Sequence, residues 1–287
     1  MTAAPPPVTL RDHAALLYPA AMLAVFFVVP FGIMLAVSFF HRVEGGFYEP
    51  GFELASYARF LTPFFGQVLA FSLSISALAA AIVVAVGFPF TYALTRLPRP
   101  AQVVFLVFIL AVLSLSEVIV GFAWSTLLSR TAGLSNLLVW LGLSAQPRAW
   151  SPSFPALLVG LCYLGFPYTV LVLYPALSRL DPELPEASRM LGASPLLTFF
   201  LVVVPSQRAS ILGALIMVFV FNLGAFLLPQ VLGQPQHWTL SVHITDQAVF
   251  QSNLPFAAAM AVFLMLFSLA LIGLTLLAGG RRAEVAP

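Results

Sequence analysis

Long apolar stretches alternate with short polar ones along this chain, and the apolar stretches are of similar length. Segments 14–40, 67–95, 102–128, 154–177, 209–228 and 256–279 are each predominantly apolar over a helix-length run. A helix of about 20 such residues crosses the roughly 30 Å hydrocarbon core of a bilayer. The pattern therefore predicts an all-α, polytopic transmembrane bundle of about six spans. The first segment exceeds the short apolar core of a cleavable signal, and no clear small-residue cleavage site follows it. It reads as a retained first helix. Pro30, Pro89, Pro167, Pro175 and Pro229 lie within or at the edges of spans, and each predicts a local loss of backbone bonding that neighbouring groups must make good.

Composition strengthens the membrane reading. The chain is 61% hydrophobic and 8% charged, against the roughly 25% charge that a water-facing domain carries, so lipid must be its main solvent. A net charge of +2 is too small to argue for nucleic acid, no basic run exists, and no nucleic-acid partner is expected. The twelve basic residues are all arginine. A phosphate-binding P-loop needs a lysine to reach the nucleotide phosphates, so this chain cannot hold a standard ATP site. If ATP drives its work, a partner subunit binds it, and no cofactor is expected here. Cys162 is the single cysteine, which excludes an internal disulfide and a cysteine zinc cluster. His13, His41, His237 and His243 lack metal-site spacing and read as solvated or interfacial side chains, so no metal site is expected.

Arginine placement sets the orientation, because inner loops are enriched in positive charge. With both termini inside, Arg11, Arg96, Arg99, Arg179, Arg189, Arg208, Arg281 and Arg282 face the cytoplasm, and Arg42, Arg59, Arg130 and Arg148 face out. The expected organisation is a cytoplasmic segment 1–13, a transmembrane domain 14–279 and a cytoplasmic tail 280–287. Trp150 and Trp238 stand near predicted helix ends and read as interfacial anchors.

Segment 178–208 differs from the other loops. Asp181-Pro182-Glu183 is a helix start, with an acceptor side chain and a proline pre-set for the first turn. Glu183 and Glu186 put negative charge at the positive end of that helix. Gly192 predicts its stop. Ser194-Pro195 caps a second helix, which closes near Pro205. The first helix mixes small residues (Ala187, Ser188) with charged ones (Glu186, Arg189), a surface suited to a partner's groove.

Here the residues carry a resemblance. Glu186-Ala187-Ser188, three further residues, Gly192-Ala193 and then Pro205 resemble the signature loop of the permease subunits of binding-protein-dependent ATP-binding-cassette importers. Ser188 stands where the family usually has a second alanine, Phe200 and Leu201 where it is often basic, and Ala209 where a second proline is frequent. Phe122-Ala123-Trp124 with Leu127, Leu128, Gly133, Leu134 and Asn136 resembles the third-helix region of spermidine/putrescine-type permeases. Leu223-Gly224-Ala225-Phe226 with Pro229, Leu232 and Gly233 resembles their fifth-helix exit. The resemblance implies a type I importer fold in a bacterial inner membrane, importing a polyamine or similar small solute. It implies partners: ATP-binding-cassette ATPases, a second permease subunit and an extracytoplasmic binding protein. It also implies that Glu186, Ala187, Ser188, Arg189, Gly192, Ala193 and Pro205 couple the spans to the ATPase.

Candidates for touching the solute come from the spans. Glu117 is the one acid well inside a predicted span, and an ionisable group at that depth is a functional hypothesis by default. The plainer reading pairs it with Ser114 or Ser116. Trp124 can line a path or simply pack. Asn222 can line a path or hold two helices together. Two rival functions stay open at this point. An ion-coupled transporter should show paired interrupted helices in two related halves, and no such repeat is evident. An intramembrane enzyme needs a base at membrane depth, and the histidines lie outside the apolar runs.

Overall fold

A computed structural model of the chain describes residues 18–280 apart from 44, 45 and 47. The expected inner segment 1–13 and nearly all of the tail 280–287 thus lie outside the described residues. In chain order the helices are α1 (Tyr18–Val37), α2 (Ala55–Phe60), α3 (Pro63–Thr95), α4 (Arg99–Leu113), α5 (Glu117–Leu127), α6 (Leu134–Trp140), α7 (Phe154–Ser178), α8 (Glu183–Met190), α9 (Pro195–Ser206), α10 (Arg208–Gly224), α11 (Leu227–Leu232), α12 (Leu240–Thr245) and α13 (Leu254–Gly280). Helices α1, α3, α7 and α13 are each long and apolar enough to cross a membrane unaided. Two bent pairs complete six spans: α4 with α5, at 94°, and α9 with α10, at 74°. The expected polytopic helical bundle is what forms.

The chain divides into two compact units. One holds the residues up to Thr62 together with Ile244–Leu266. Its buried Ser38 donates to the Leu35 carbonyl at 2.6 Å and shares a 2.7 Å hydrogen bond with the Tyr57 hydroxyl. Phe39 lies between the rings of Phe52 and Tyr57, at 5.2 and 5.3 Å. A short antiparallel bridge joins His41 to Glu49, and His41 Nδ1 meets Glu53 Oε2 at 2.6 Å. Arg59 covers the ring of Phe256, 4.6 Å from its centroid, so the α2 end carries a cation–π contact.

The other unit holds Pro63–His243 and the chain from Phe267 onward. Helices α3, α7 and α10 pack mutually. Without water there is no hydrophobic drive between helices, so close backbone approach through small residues supplies the contact. A Cβ on Gly165 of α7 would lie 2.8 Å from Val218 Cγ1 of α10, and one on Gly87 of α3 would lie 2.7 Å from Thr169 Cγ2 of α7. The hydroxyls of Ser72, Thr91 and Thr169 donate back to carbonyls four residues earlier, so they are satisfied inside their own helices. Gly165→Leu is expected to destabilise the bundle by about 1–3 kcal/mol, the usual cost of overpacking. Gly213→Leu, with open space around its Cβ position, should leave the midpoint of thermal unfolding in detergent nearly unchanged.

The breaks within spans have local causes. The third span bends where Ser114 donates to the Leu110 carbonyl and Ser116 turns extended (φ −61°, ψ 136°), because serine hydroxyls compete with helical backbone bonding. Of the three π-helical turns among the described residues, the two that lie within spans, Ala24–Val28 and Phe199–Val203, end two residues before a proline, Pro30 or Pro205. Proline lacks an N–H and its ring crowds the carbonyl four residues back, and the widened turn relieves both. Helix α10 ends at Gly224, short of the expected span end at residue 228, with Ala225 extended. The Ser241 hydroxyl takes up the freed Leu223 carbonyl at 2.6 Å, and the Thr239 hydroxyl donates to the Ala225 carbonyl at 3.5 Å. The Leu240 N–H donates to Ser72 Oγ of α3 at 2.8 Å. Residues 225–242 therefore fold back into the unit, with Thr239, Leu240 and Val242 buried, instead of forming a plain external loop.

Candidate functional site

The loop after α7 is built from its sequence outward. Asp181 Oδ1 accepts the Glu183 N–H at 2.9 Å, which starts α8. Glu183 and Glu186 occupy its first turn and Arg189 its last, each on the favourable end of the helix dipole. Two reciprocal bonds end it: the Gly192 N–H reaches the Arg189 carbonyl at 2.9 Å, and the Ala193 N–H reaches the Ser188 carbonyl at 3.2 Å. This is the Schellman arrangement, and it requires the left-handed φ of +87° that Gly192 adopts. Ser194 Oγ then caps α9 by accepting the Leu197 N–H at 3.3 Å.

The loop presents an unusual surface. Met190 is 88% exposed and Leu191 90%, beside exposed Leu184, Leu196 and Leu197. Glu186, Ala187 and Arg189 are exposed as well. Pro185 and Thr198 are buried on the other side. Ser188, the departure from the family's second alanine, is half-buried and shares a 3.1 Å hydrogen bond with Thr198 Oγ1. That bond ties α8 to α9, and sequence reasoning missed it, since no spacing rule pairs positions ten apart across a turn.

From α9 the loop is anchored in the bundle. Phe199 meets Phe88 at 5.6 Å and Tyr92 at 5.4 Å, both on α3. Val203 is fully buried with Val84, Phe88, Leu173, Leu177 and Ala214. Pro205 is exposed and follows the widened turn. Tyr92 also carries Arg96, whose Nη2 donates to its hydroxyl at 3.2 Å. Gln102 holds the α3–α4 turn, donating to the Thr95 and Leu97 carbonyls and accepting from the Tyr174 hydroxyl at 2.6 Å.

The span residues fall differently from the sequence reading. Glu117 stands in the first turn of α5, directly after the bend, and not in the middle of a straight span. Its carboxylate lies near the Leu228 backbone N–H of α11, while Oε1 is buried with no hydrogen-bond partner. The expected serine partners are not used, because Ser114 bonds its own helix. Glu117 lines a cavity of about 240 Å³ with Val112, Tyr163, Pro167, Tyr168 and Phe221. A second cavity of about 480 Å³ shares Val112, Tyr163 and Pro167 and is otherwise walled by Trp124, Phe90, Phe105, Phe108 and Phe166 among others. Trp124 packs edge-on to Tyr163 at 5.7 Å. The fold thus gathers Glu117 and Trp124 around adjoining cavities. Asn222 lines neither: it is fully buried in α10, and both its amide atoms lack partners. Two of the histidines read as solvated or interfacial are half-buried beside aromatic rings. His237 stacks on Phe71 at 5.8 Å, and His243 lies among Phe64, Phe65 and Trp238.

The described residues thus form a polytopic helical bundle with a capped, solvent-exposed helical loop. Residues 100–281 match the family of the binding-protein-dependent transport system inner membrane component, and the chain belongs to that family. It is similar to the spermidine/putrescine transport system permease protein PotB of Escherichia coli (strain K12), 28% identical over 92% of this chain and 94% of that one. The same protein of Haemophilus influenzae (strain ATCC 51907 / DSM 11121 / KW20 / Rd) is 28% identical over 86% and 87%. Among solved structures, a chain of a bacterial ABC transporter importing the acidic polysaccharide alginate shares the fold with a TM-score of 0.68 at 18% identity, covering 96% of each chain. A chain of the MetNI methionine ABC transporter does so with a TM-score of 0.54 at 17% identity, covering 78% of this chain and 98% of that one. The chain is thus a multi-pass inner-membrane permease subunit of an ABC importer and not an enzyme. Membership sets aside the ion-coupled and intramembrane-enzyme alternatives.

Proposed function

We propose that this permease moves a polyamine or a similar small organic cation inward and that α8 is where a separate ATPase drives it. The observation that carries the coupling reading is the capped α8 with its exposed apolar edge, a shape that fits a groove. Glu186, Ala187, Arg189, Gly192 and Ala193 form or shape that surface; Ser188 and Pro205 join it to the spans. Closure of two ATPases on ATP pushes α8. Ser188 and Thr198 carry the push to α9, and Phe199 passes it to α3 between Phe88 and Tyr92. The spans then switch as rigid bodies between two states, and ATP selects one only through its different affinity for each.

The relatives' import of spermidine and putrescine, over nearly their full length, supports the solute class. Glu117 and Trp124 are read as path residues. Asn222 stays with them in that role, its unpartnered amide available to a passing polar group. Both termini face the cytoplasm in this reading, a second permease subunit closes the path, and an extracytoplasmic binding protein delivers the solute. The test is uptake of radiolabelled putrescine and spermidine by the complete importer in proteoliposomes, with binding protein outside and ATP inside. ATP-dependent accumulation supports the reading. An importer that accumulates another solute while ignoring both polyamines overturns the solute class.

A further inference from the structure

The Glu117 cavity has a feature that neither coupling nor packing explains. A carboxylate removed from water is costly unless paired, and at membrane depth that cost marks a functional group. Glu117 is half-buried, its carboxylate lies near the Leu228 backbone N–H, and its buried Oε1 has no hydrogen-bond partner. No cationic side chain among the described residues pairs with it; the ion pair they form is His41 with Glu53. The chain also has no lysine that could reach in. The described residues supply it with no counter-charge.

The walls say which kind of cation suits. A hard metal ion needs several oxygen ligands, and this cavity offers a single carboxylate amid Val112, Leu113, Leu115, Val120, Leu164 and aromatic rings. Tyr163, Tyr168 and Phe221 supply ring faces, which attract ammonium groups. Tyr168 and Phe221 stand 4.4 Å apart as one wall. The adjoining cavity begins at Val112, Tyr163 and Pro167 and continues through apolar and aromatic side chains, Trp124 among them. A carboxylate pocket opening beside an apolar one matches a molecule with a charged end and a methylene stem.

We propose that Glu117 binds a primary ammonium of the translocated polyamine, with Tyr163 and Tyr168 around the charge and the Trp124 cavity receiving the methylene chain. This rests on the polyamine reading above. Charge selection then resides partly in the permease and not in the binding protein alone. It also places the solute against α5, which packs on α11 beside Leu228, so loading and the α5–α11 contact meet near one carboxylate.

The experiment uses the complete importer in proteoliposomes. Glu117→Gln keeps shape and removes charge; it should still co-purify with the ATPase while polyamine uptake falls about tenfold or more, the scale of a lost charge-assisted bond. Glu117→Asp should recover a substantial part of that loss, which a merely packing role would not predict. A second measurement needs no variant. Dicyclohexylcarbodiimide attacks carboxyls in apolar surroundings, and mass spectrometry of wild-type complex in nanodiscs reads its addition at Glu117. Spermidine should slow that addition about tenfold, and sodium chloride of equal ionic strength should not. Wild-type uptake of polyamine, together with undiminished uptake by Glu117→Gln or with no spermidine protection in either nucleotide state, overturns the Glu117 site while leaving the polyamine reading intact. A wild-type importer that takes up no polyamine overturns that reading first. If Glu117→Gln fails to assemble, the labelling result alone decides.

Discussion

Replacing Glu186 with arginine is expected to strip the ATPase from the purified permease and abolish ATP-driven uptake. The folding effect should be small. Glu186 is an exposed first-turn residue, and reversing its charge costs about 0.3–1 kcal/mol of interaction with the helix dipole. The docking effect should be large, because like charges brought together in an interface cost several kcal/mol. A loss of about 3 kcal/mol weakens association by roughly a hundredfold. The measurement is co-purification of the ATPase in detergent beside the unfolding midpoint of the permease alone. Glu186→Gln should fall between, since it removes the attraction without adding a repulsion. Intact co-purification of the arginine variant would place the docking surface elsewhere.

Gly192→Val should uncouple the importer for a different reason. A Cβ at Gly192 meets nothing within 4 Å, so crowding is not the issue. The backbone is: φ of +87° is a conformation that non-glycine residues enter at a cost of roughly 1–2 kcal/mol, and more when β-branched. The turn would relax by giving up the Ala193–Ser188 and Gly192–Arg189 bonds, and α8 would lose its fixed angle to α9. Uptake should fall about tenfold or more if the strain is met by breaking the turn, with much of the ATPase still bound. Gly192→Asn should retain most activity, because asparagine visits the left-handed region. Equal uptake by the valine and asparagine variants would show that the angle set at Gly192 does not matter.

The loop between α7 and α10 was the most legible part of the sequence. Its start at Asp181-Pro182-Glu183 and its stop at Gly192 are local events, written in residue types whose preferences act over one or two turns. The spans were legible in number for a similar reason, since a run of apolar residues is a direct statement about solvent. Their breaks were not. Both halves of α4–α5 are apolar, so hydropathy reads straight through Ser114–Ser116 and set Glu117 in the middle of a helix that in fact begins there. The fold-back at 225–242 was hidden likewise. Gln234, Gln236 and His237 signal a loop, but Ser72, far away in sequence, is what draws Leu240 inward. The Ser188–Thr198 bond and the shared walls of the two cavities are tertiary facts of the same kind.

The central claim is that α8 is the contact through which an ATPase moves these spans. Its most direct test is a photoreactive amino acid at Ala187, exposed on α8 and bonded through its carbonyl to Leu191, in the assembled importer. Illumination should give a cross-link to the ATPase subunit, mapped by mass spectrometry to its groove, with a yield that changes when ATP is bound and trapped. Cross-links confined to lipid or to the permease itself, in an importer that still accumulates solute on ATP, would contradict the account.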